Sequence, residues 1–280
     1  MPLVVSLSSI PSRFDKLDPV LDALLAQKAK IDEIRLYIPR RYRRFPDFDG
    51  PPPRVPKGVR VIRPDDDLGP ASKVLFAADD LKGTDCDIIY CDDDRLYEPH
   101  WFSGMLRQRG RHTDRAVATA CQQLHNLGYR IANRRKPQPV SISSKLPRAY
   151  GLVRRKIKQL VSGKTDRKPP HSRLVLKGGY CDIAEGTGAV LLRPDFFDAA
   201  VYDIPPVLWS VDDVWLSGHL ERRGIPIWLA RGYPQAQPAE HTSLDALYAS
   251  VVDGAGRNEA NAACIAYFQK TYGIWQEIDD

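Results

Sequence analysis

Long apolar runs are missing from this chain of 280 residues. No stretch approaches the roughly 20 consecutive apolar residues that cross a bilayer, so no membrane-spanning helix is expected. The opening Met1-Pro2-Leu3-Val4-Val5-Ser6-Leu7 carries no basic lead and no long apolar core. A signal peptide is therefore not expected, and the predicted location is cytoplasmic. Cysteine is scarce: Cys86, Cys91, Cys121, Cys181 and Cys264 are odd in number and lack metal-site spacing. They fit reduced core thiols rather than a disulfide scaffold. No internal repeat is visible. Acids are nearly absent from one segment, where thirteen Lys and Arg between Arg130 and Lys168 face a single Asp166. The net charge of +6 describes that segment, and the remainder is net acidic. Apolar content of 43% and charged content of 27% are those of an ordinary globular protein, long enough for one large α/β domain.

Short apolar segments alternate with segments of helical period. Strands are predicted over Leu3 to Leu7, Glu33 to Ile38, Val59 to Arg63, Ile88 to Cys91 and Ala116 to Ala120. Helices are predicted over Leu17 to Ala29, Ser72 to Leu81 and Pro99 to Arg109. Gln122 to Leu176 breaks the rhythm, with little strand signal. Regular structure resumes over Tyr180 to Leu192, a Gly-rich turn before a strand, followed by a short helix from Pro194 to Ala200. A helix capped by Ser210 is predicted to run to Arg223, then a strand over Ile225 to Ala230. Ser243 to Trp275 reads as two helices, the second over Asn258 to Tyr272. This alternation predicts an α/β protein with a mostly parallel sheet in three layers. Residues 1–121 form one half, 122–176 a basic insert and 177–280 the second half of a single domain.

Within the insert, Leu152, Val153, Ile157, Leu160 and Val161 share one helical face, with Arg154, Arg155, Lys156 and Lys158 over the rest. Either a solvated insert or a basic amphipathic helix on an anionic membrane surface fits this pattern. Each basic residue near such a surface contributes about 1 kcal/mol. Nucleic acid is not an expected partner, because no recognised module accompanies the charge.

Three acidic centres stand at predicted strand ends or helix starts: Asp65 to Asp67, Asp92-Asp93-Asp94 and Asp212-Asp213. Ligands of open α/β sheets bind beyond the carboxyl ends of the strands. Three adjacent carboxylates repel one another unless a cation sits among them, and hard oxygen ligands suit Mg²⁺ or Mn²⁺. A solvated acidic turn is the plain alternative. Asp212-Asp213 opens a helix and either complements its dipole or takes a proton from an attacking hydroxyl. Lys73 begins a helix where an anion is welcome. His241 is a metal ligand, a substrate contact or a surface residue. Ser6, Ser9 and Arg13 follow the first strand at the usual nucleotide edge.

Taken in order, Ser9 to Arg13 (Ser-Ile-Pro-Ser-Arg), Asp67 to Lys73 (Asp-Leu-Gly-Pro-Ala-Ser-Lys), Asp92-Asp93-Asp94, Glu185-Gly186-Thr187-Gly188 and Asp212 to Leu216 with Gly224-Ile225 resemble a bacterial glycosyltransferase of the GT-A fold. The likeness is to family-2-like enzymes of surface polysaccharides and spans nearly the whole chain outside the basic insert. It implies a GT-A (Rossmann-like) sheet with C-terminal helices and transfer from a UDP- or GDP-linked sugar to a glycan or lipid-linked acceptor. It also implies a Mn²⁺ or Mg²⁺ cofactor; a location at the inner face of the membrane is what the basic insert, read as a surface helix, would give. By residue, it implies Asp92, Asp94 and His241 around the metal. Ser6, Ser9, Arg13, Asp67, Lys73, Asp92 and Asp93 would lie on the donor, and Glu185, Gly186, Thr187 and Trp209 on the acceptor. Asp213 would be the base with Asp212 in support, giving an inverting reaction.

Three rivals stay open. A sugar-phosphate nucleotidyltransferase shares the fold type, but Ser8 to Arg13 lacks the glycines of its phosphate loop. An aspartyl phosphatase has a small hydroxyl residue or valine where this chain has Leu96. A catalytically silent, membrane-bound partner that retains a nucleotide pocket is the third.

Overall fold

Successive strand residues enter two separate cores, and that alternation builds three layers. The computed structural model of the protein describes residues 1–132, 134–143, 173–247 and 256–278. Its strands are β1 (Leu3–Ser8), β2 (Glu33–Tyr37), β3 (Val59–Ile62), β4 (Asp87–Tyr90), β5 (Arg95–Leu96), β6 (Ala116–Ala118), β7 (Cys121–Gln122), β8 (Val140–Ser143), β9 (Arg173–Lys177), β10 (Gly179–Cys181), β11 (Ile183–Ala184), β12 (Val190–Leu192), β13 (Ile227–Leu229) and β14 (Gln237–Pro238). The helices are α1 (Asp18–Leu25), α2 (Ser72–Asp80), α3 (Trp101–Arg109), α4 (Asp212–Arg222) and α5 (Arg257–Tyr272).

Eight strands form one sheet in the order β10-β13-β6-β12-β4-β1-β2-β3. β4, β1, β2 and β3 run parallel to one another, as do β13 and β6, while β12 and β10 are antiparallel to their neighbours. The α/β class and the mostly parallel, helix-flanked sheet expected from the sequence are what the chain forms. On one face Leu3, Val5, Leu7, Ile89 and Leu191 pack with Leu17, Leu21 and Leu24 of the α1 region and Phe102 and Met105 of α3. On the other, Ile88, Tyr90, Val190 and Leu192 pack with Val74 and Leu75 of α2, Trp215 of α4 and Phe268 of α5. A central strand buried on both sides needs an unbroken apolar run, which is why β4 reads Ile88-Ile89-Tyr90.

One ion pair lies inside these layers. Arg109, at the end of α3, makes a two-pronged contact with the Asp87 carboxylate at the start of β4, Nη2 to Oδ2 at 2.6 Å. Both residues are buried.

Several predicted boundaries change. The helix predicted over Leu17 to Ala29 is the shorter α1, which stops at Leu25, and the stretch before it, after β1, holds a 3-10 turn over Pro11–Lys16. Ser210 does not cap α4; Val211 holds that position with no side-chain cap, and the two acids of the first turn complement the dipole instead. Pro194 to Ala200 gives two 3-10 turns rather than one helix. The stretch expected to be poor in strands contains β8 and β9, an antiparallel pair. Such strands find partners across a long connection, which local periodicity does not report. The predicted helix over Leu152 to Val161 lies outside the described residues, as does most of the first of the two predicted C-terminal helices. All five cysteines are buried and none is in a disulfide. Among the described residues no helix is long and apolar enough to cross a membrane.

Candidate functional site

Four parallel strands, β1 to β4, end at one edge of the sheet, and a cavity of about 320 Å³ opens there. Its lining draws on all three acidic centres: Asp67 beyond β3, Asp92, Asp93 and Asp94 beyond β4, and Asp212 and Asp213 at the start of α4. Residues far apart in the chain meet because the strands deliver their following loops to a common edge. Asp65 and Asp66 are exposed, and Asp65 pairs with Arg40 at 2.9 Å.

The members of the triplet have separate surroundings. Asp93 turns inward, where Arg13 Nη1 reaches its Oδ1 at 2.6 Å and the Ser9 hydroxyl donates to its other oxygen. The middle acid thereby fastens the loop after β1 to the loop after β4. Tyr42 tightens the same corner by donating to the Ser9 carbonyl at 2.9 Å. Asp94 Oδ2 accepts from Thr242 Oγ1 at 2.9 Å, while its Oδ1 is buried without a hydrogen-bond partner. Arg95 Nε lies 3.3 Å from that oxygen but is itself without a hydrogen bond. Burial, then the neighbouring Asp92 charge, raises the Asp94 pKa from its ordinary value.

Lys73 joins the donor-side and helix-side acids. Its Nζ is 2.5 Å from Asp92 Oδ1 and 2.7 Å from Asp212 Oδ2, in a side chain only 7% exposed. Burial works against the ammonium, but Asp212 and Asp92 outweigh it and hold the Lys73 pKa well above its ordinary value. Burial likewise works against the Asp92 carboxylate, and Lys73 brings its pKa below the usual value. Gly186 makes this approach possible, because a β-carbon there would overlap Lys73 Nζ and stand 2.7 Å from Asp92 Oδ1.

Asp213 lies beside this network. Its Oδ1 accepts from the Gly186 N–H at 3.0 Å and its Oδ2 is 3.6 Å from Arg257. Burial, then the charge of Asp212, pushes its pKa up to about 8. A carboxyl group so poised exchanges protons near neutral pH, a property that clusters at functional sites.

Most of the residues singled out in the sequence meet here, and a few do not. Ser9, Arg13, Asp67, Lys73, Thr187 and Trp209 line the cavity. Asp67 accepts from the backbone N–H groups of Arg43 and Gly69, both at 2.8 Å, and its carbonyl accepts from Trp209 Nε1 at 3.0 Å. It thus shapes the wall. Gly69 has φ +61, and a β-carbon there would strike the Trp209 ring at 2.6 Å. Ser6 is fully buried within β1 and is not part of the cavity lining, because it lies short of the strand end at which the cavity opens. Glu185 is not part of the lining; its N–H bonds to the Ala120 carbonyl at 3.1 Å. His241, expected as a metal ligand, instead places Nε2 2.9 Å from the Asp93 carbonyl. A carbonyl only accepts, so that nitrogen carries a proton and is unavailable to a cation. Ala239 N–H to the Asp94 carbonyl at 2.8 Å completes a strap beneath the triplet.

Sequence reasoning missed Arg44, Arg95, Asp245 and Arg257, which also line the cavity. Arg257 sits one residue before the predicted start of its helix; a cation in a first turn, where the dipole disfavours it, was the available signal.

No protein-family model matches the chain, and no curated protein matches its sequence. Among solved structures the chain is similar to a crystal structure of GalNAc-T7 with UDP, GalNAc and Mn²⁺, at 12% identity and a TM-score of 0.44. The similarity covers 82% of this chain and 41% of that one, so the chain spans less than half of that relative's length. It is also similar to a mycobacterial protein, at 12% identity and a TM-score of 0.45, covering 98% of this chain and 75% of that one.

Proposed function

We propose that this chain is a GT-A glycosyltransferase that moves a sugar from a nucleoside diphosphate onto a hydroxyl of a glycan or lipid-linked acceptor. One observation carries the reading. Acids from three separate segments, two of them bridged by a buried lysine, face one cavity at the carboxyl ends of parallel strands, and the pKa of one, Asp213, is raised to about 8. That set supplies the two things sugar transfer needs, a seat for a charged leaving group and a base for a weak nucleophile.

In this proposal Asp213 takes the proton of the acceptor hydroxyl as it attacks, a contribution typically of about 10²–10⁴-fold. Asp212, held by Lys73, supports it. A single base acting opposite the leaving group inverts the anomeric carbon. Thr187 and Trp209 bound the acceptor side, and Ser9, Arg13 and Asp93 hold the donor-side loop in shape.

A divalent cation fits part of this donor set. The buried Asp94 Oδ1 without a hydrogen bond, in a carboxyl whose pKa is raised by burial and then by a neighbouring acid, is the situation a cation relieves. Asp94 and Asp92 would hold Mg²⁺ or Mn²⁺, with the remaining positions left to water and donor phosphate oxygens. Among the described residues no group of three or more His, Cys, Asp or Glu is arranged to hold a metal ion by itself. Bound there, the ion would stabilise negative charge on the departing diphosphate.

The proposal places the enzyme on the cytoplasmic face of a membrane, drawn there by the basic residues between Arg130 and Lys168, and in surface-polysaccharide synthesis. The deciding experiment is a screen of UDP- and GDP-sugars with Mn²⁺ for release of nucleoside diphosphate, using wild type and Asp213→Asn. Release by wild type alone supports the reading. Turnover of a nucleoside triphosphate with a sugar phosphate would instead assign a nucleotidyltransferase, and nucleotide binding with no turnover a silent partner.

A further inference from the structure

A second cavity, of about 290 Å³, lies at the far ends of two helices that begin at the first. α4 and α5 start there with Asp212, Asp213 and Arg257. Glu221, in the last turn of α4, and Gly273 to Gln276, just past α5, line the second cavity. At about 1.5 Å per residue, Glu221 stands roughly 12 Å along α4 from Asp213. The two linings share no residue.

The wall of the second cavity is polar but balanced in charge. Arg135 Nη1 meets the two Glu221 oxygens at 2.8 and 2.7 Å. Arg134 Nη2 donates to Gln123 Oε1 and Gln138 Oε1, both at 2.7 Å, with Asp182 3.5 Å away. Each guanidinium thus has a carboxylate beside it, and the wall favours neither a cation nor an anion. A donor is left over: Arg134 Nε is buried without a hydrogen-bond partner, a state that costs free energy until something accepts from it. Gln276 adds an exposed amide, which both donates and accepts.

Aromatic side chains complete the wall. Tyr180 of β10 stands edge-on to Trp228, ring centroids 5.2 Å apart. Trp275 lines the cavity from the turn after α5 with φ +56, a left-handed backbone that a bulky residue rarely adopts. Its carbonyl accepts from Gln269 Nε2 at 2.8 Å, and the next carbonyl, of Gln276, accepts from the Ala132 N–H at 3.0 Å. These bonds hold the strained residue in place, and such strain collects at ligand clamps.

We propose that this second cavity binds a neutral saccharide. A sugar ring offers an apolar C–H face to aromatic side chains and a rim of hydroxyls that donate and accept, matching the balanced polar wall. A hydroxyl oxygen that accepts from Arg134 Nε satisfies a donor the fold leaves unpaired. Resting on the transferase reading for this step alone, the bound residue belongs to the acceptor glycan at a point remote from the reacting hydroxyl. The site then tightens acceptor binding and takes no part in the chemistry.

The test is saturation-transfer NMR on the full chain with maltose, cellobiose, lactose, diacetylchitobiose and mannobiose, against glucuronate, glucosamine and glycerol. Wild type, Arg134→Met, Gln276→Ala and Asp213→Asn are compared after their melting temperatures have been shown to match. At least one neutral disaccharide is expected to bind better than either charged sugar and far better than glycerol. Arg134→Met should weaken it fivefold or more, Gln276→Ala a few-fold, and Asp213→Asn not at all. Where Arg134→Met fails to fold, Gln276→Ala, at an exposed position, carries the test. Neutral disaccharides no better than glycerol, a charged sugar that binds best, or affinity untouched by the wall substitutions would overturn the inference. So would loss of binding in Asp213→Asn, which would place the sugar in the first cavity. Release of nucleoside diphosphate from UDP- and GDP-sugars without acceptor is followed in wild type, Arg134→Met and Gln276→Ala, and should be the same in all three. No release by wild type would remove the transferase reading and leave the saccharide site standing.

Discussion

Lys73 Nζ lies within 2.7 Å of Asp212 and 2.5 Å of Asp92, so one enclosed ammonium ties the start of α4 to the loop beyond β4. Neither acid is within reach of the other along the chain, and the lysine comes from a third element. The two halves of the cavity are therefore held in register by charge as well as by packing. An ammonium in this position is tolerated because two carboxyl groups flank it.

Removing that ammonium gives the first prediction. Lys73→Met leaves Asp92 and Asp212 buried together, and breaking a buried pair typically costs about 3–5 kcal/mol. The penalty depends on pH with a definite sign. In wild type the Asp92 pKa is depressed, so its stabilisation is present above the unfolded carboxylate pKa and is lost as pH falls through the folded value. In the variant Asp92 keeps its burial and loses the charge that lowered its pKa. The stability gap between the two proteins should be widest at pH 7 and should narrow on acidification. Urea unfolding of both proteins at several pH values measures it; a gap that stays constant with pH would show that Lys73 acts by packing alone.

Asp213 and Asp94 are expected to separate chemistry from binding. Asp213→Asn keeps the shape and the Gly186 N–H contact but removes the base. Transfer should fall by about 10²–10⁴-fold, with diphosphate affinity retained. Asp94→Ala removes the carboxylate whose Oδ1 is unsatisfied and should abolish the Mn²⁺-dependent part of donor binding. In wild type a base with a pKa near 8 must be deprotonated to act. The rate at limiting donor and acceptor should therefore climb with pH and level off above about 8. A flat profile from pH 6 to 9 would take the base role from Asp213.

The buried pair between β4 and α3 supplies a stability prediction remote from the cavity. Arg109 and Asp87 are both under a tenth exposed and share two hydrogen bonds. Asp87→Ala should destabilise the fold by about 3–5 kcal/mol, since it leaves a guanidinium uncompensated in the interior. Replacing both, as Asp87→Ala with Arg109→Met, should restore much of the loss. Denaturant midpoints of the single and double variants check the coupling; additive losses would refute it.

Much of this architecture was legible from residue order. Alternating strand and helix segments with an apolar run at Ile88-Ile89-Tyr90 led to the sheet, and the acid clusters were placed at its edge. Physical chemistry also explains what escaped. Ser6 and Ser9 look equivalent in sequence, but Ser6 is enclosed within β1 while Ser9, just past the end of that strand, reaches Asp93. His241 looks like a ligand because imidazoles often are; its proton is committed to a backbone carbonyl that only the tertiary fold brings near. Likewise Arg257 carried no motif. Its meaning comes from Asp213 lying 3.6 Å away, across a gap of 44 residues that no local period spans.

His219 makes the last prediction, because it is buried in the neutral form. The ring is fully enclosed, with Trp215 and Phe268 centroids at 4.5 and 5.2 Å. Its Nδ1 accepts from Arg222 Nε at 3.0 Å, which leaves the proton on Nε2, and Nε2 has no partner. Burial, then the Arg222 charge, pushes its pKa down to about 3, with Asp198 opposing. Because the folded value lies below the unfolded one, His219 contributes its full stability above about pH 6.5, and that contribution is lost as pH falls from there towards 3. The loss approaches about 1.4 kcal/mol per pH unit in this window. His219→Phe keeps the ring among its aromatic neighbours and removes the proton uptake. Its stability relative to wild type should rise steadily from pH 7 to pH 4 in urea unfolding. A difference that does not change over that range would mean that His219 is no more averse to protonation in the folded protein than in the unfolded chain.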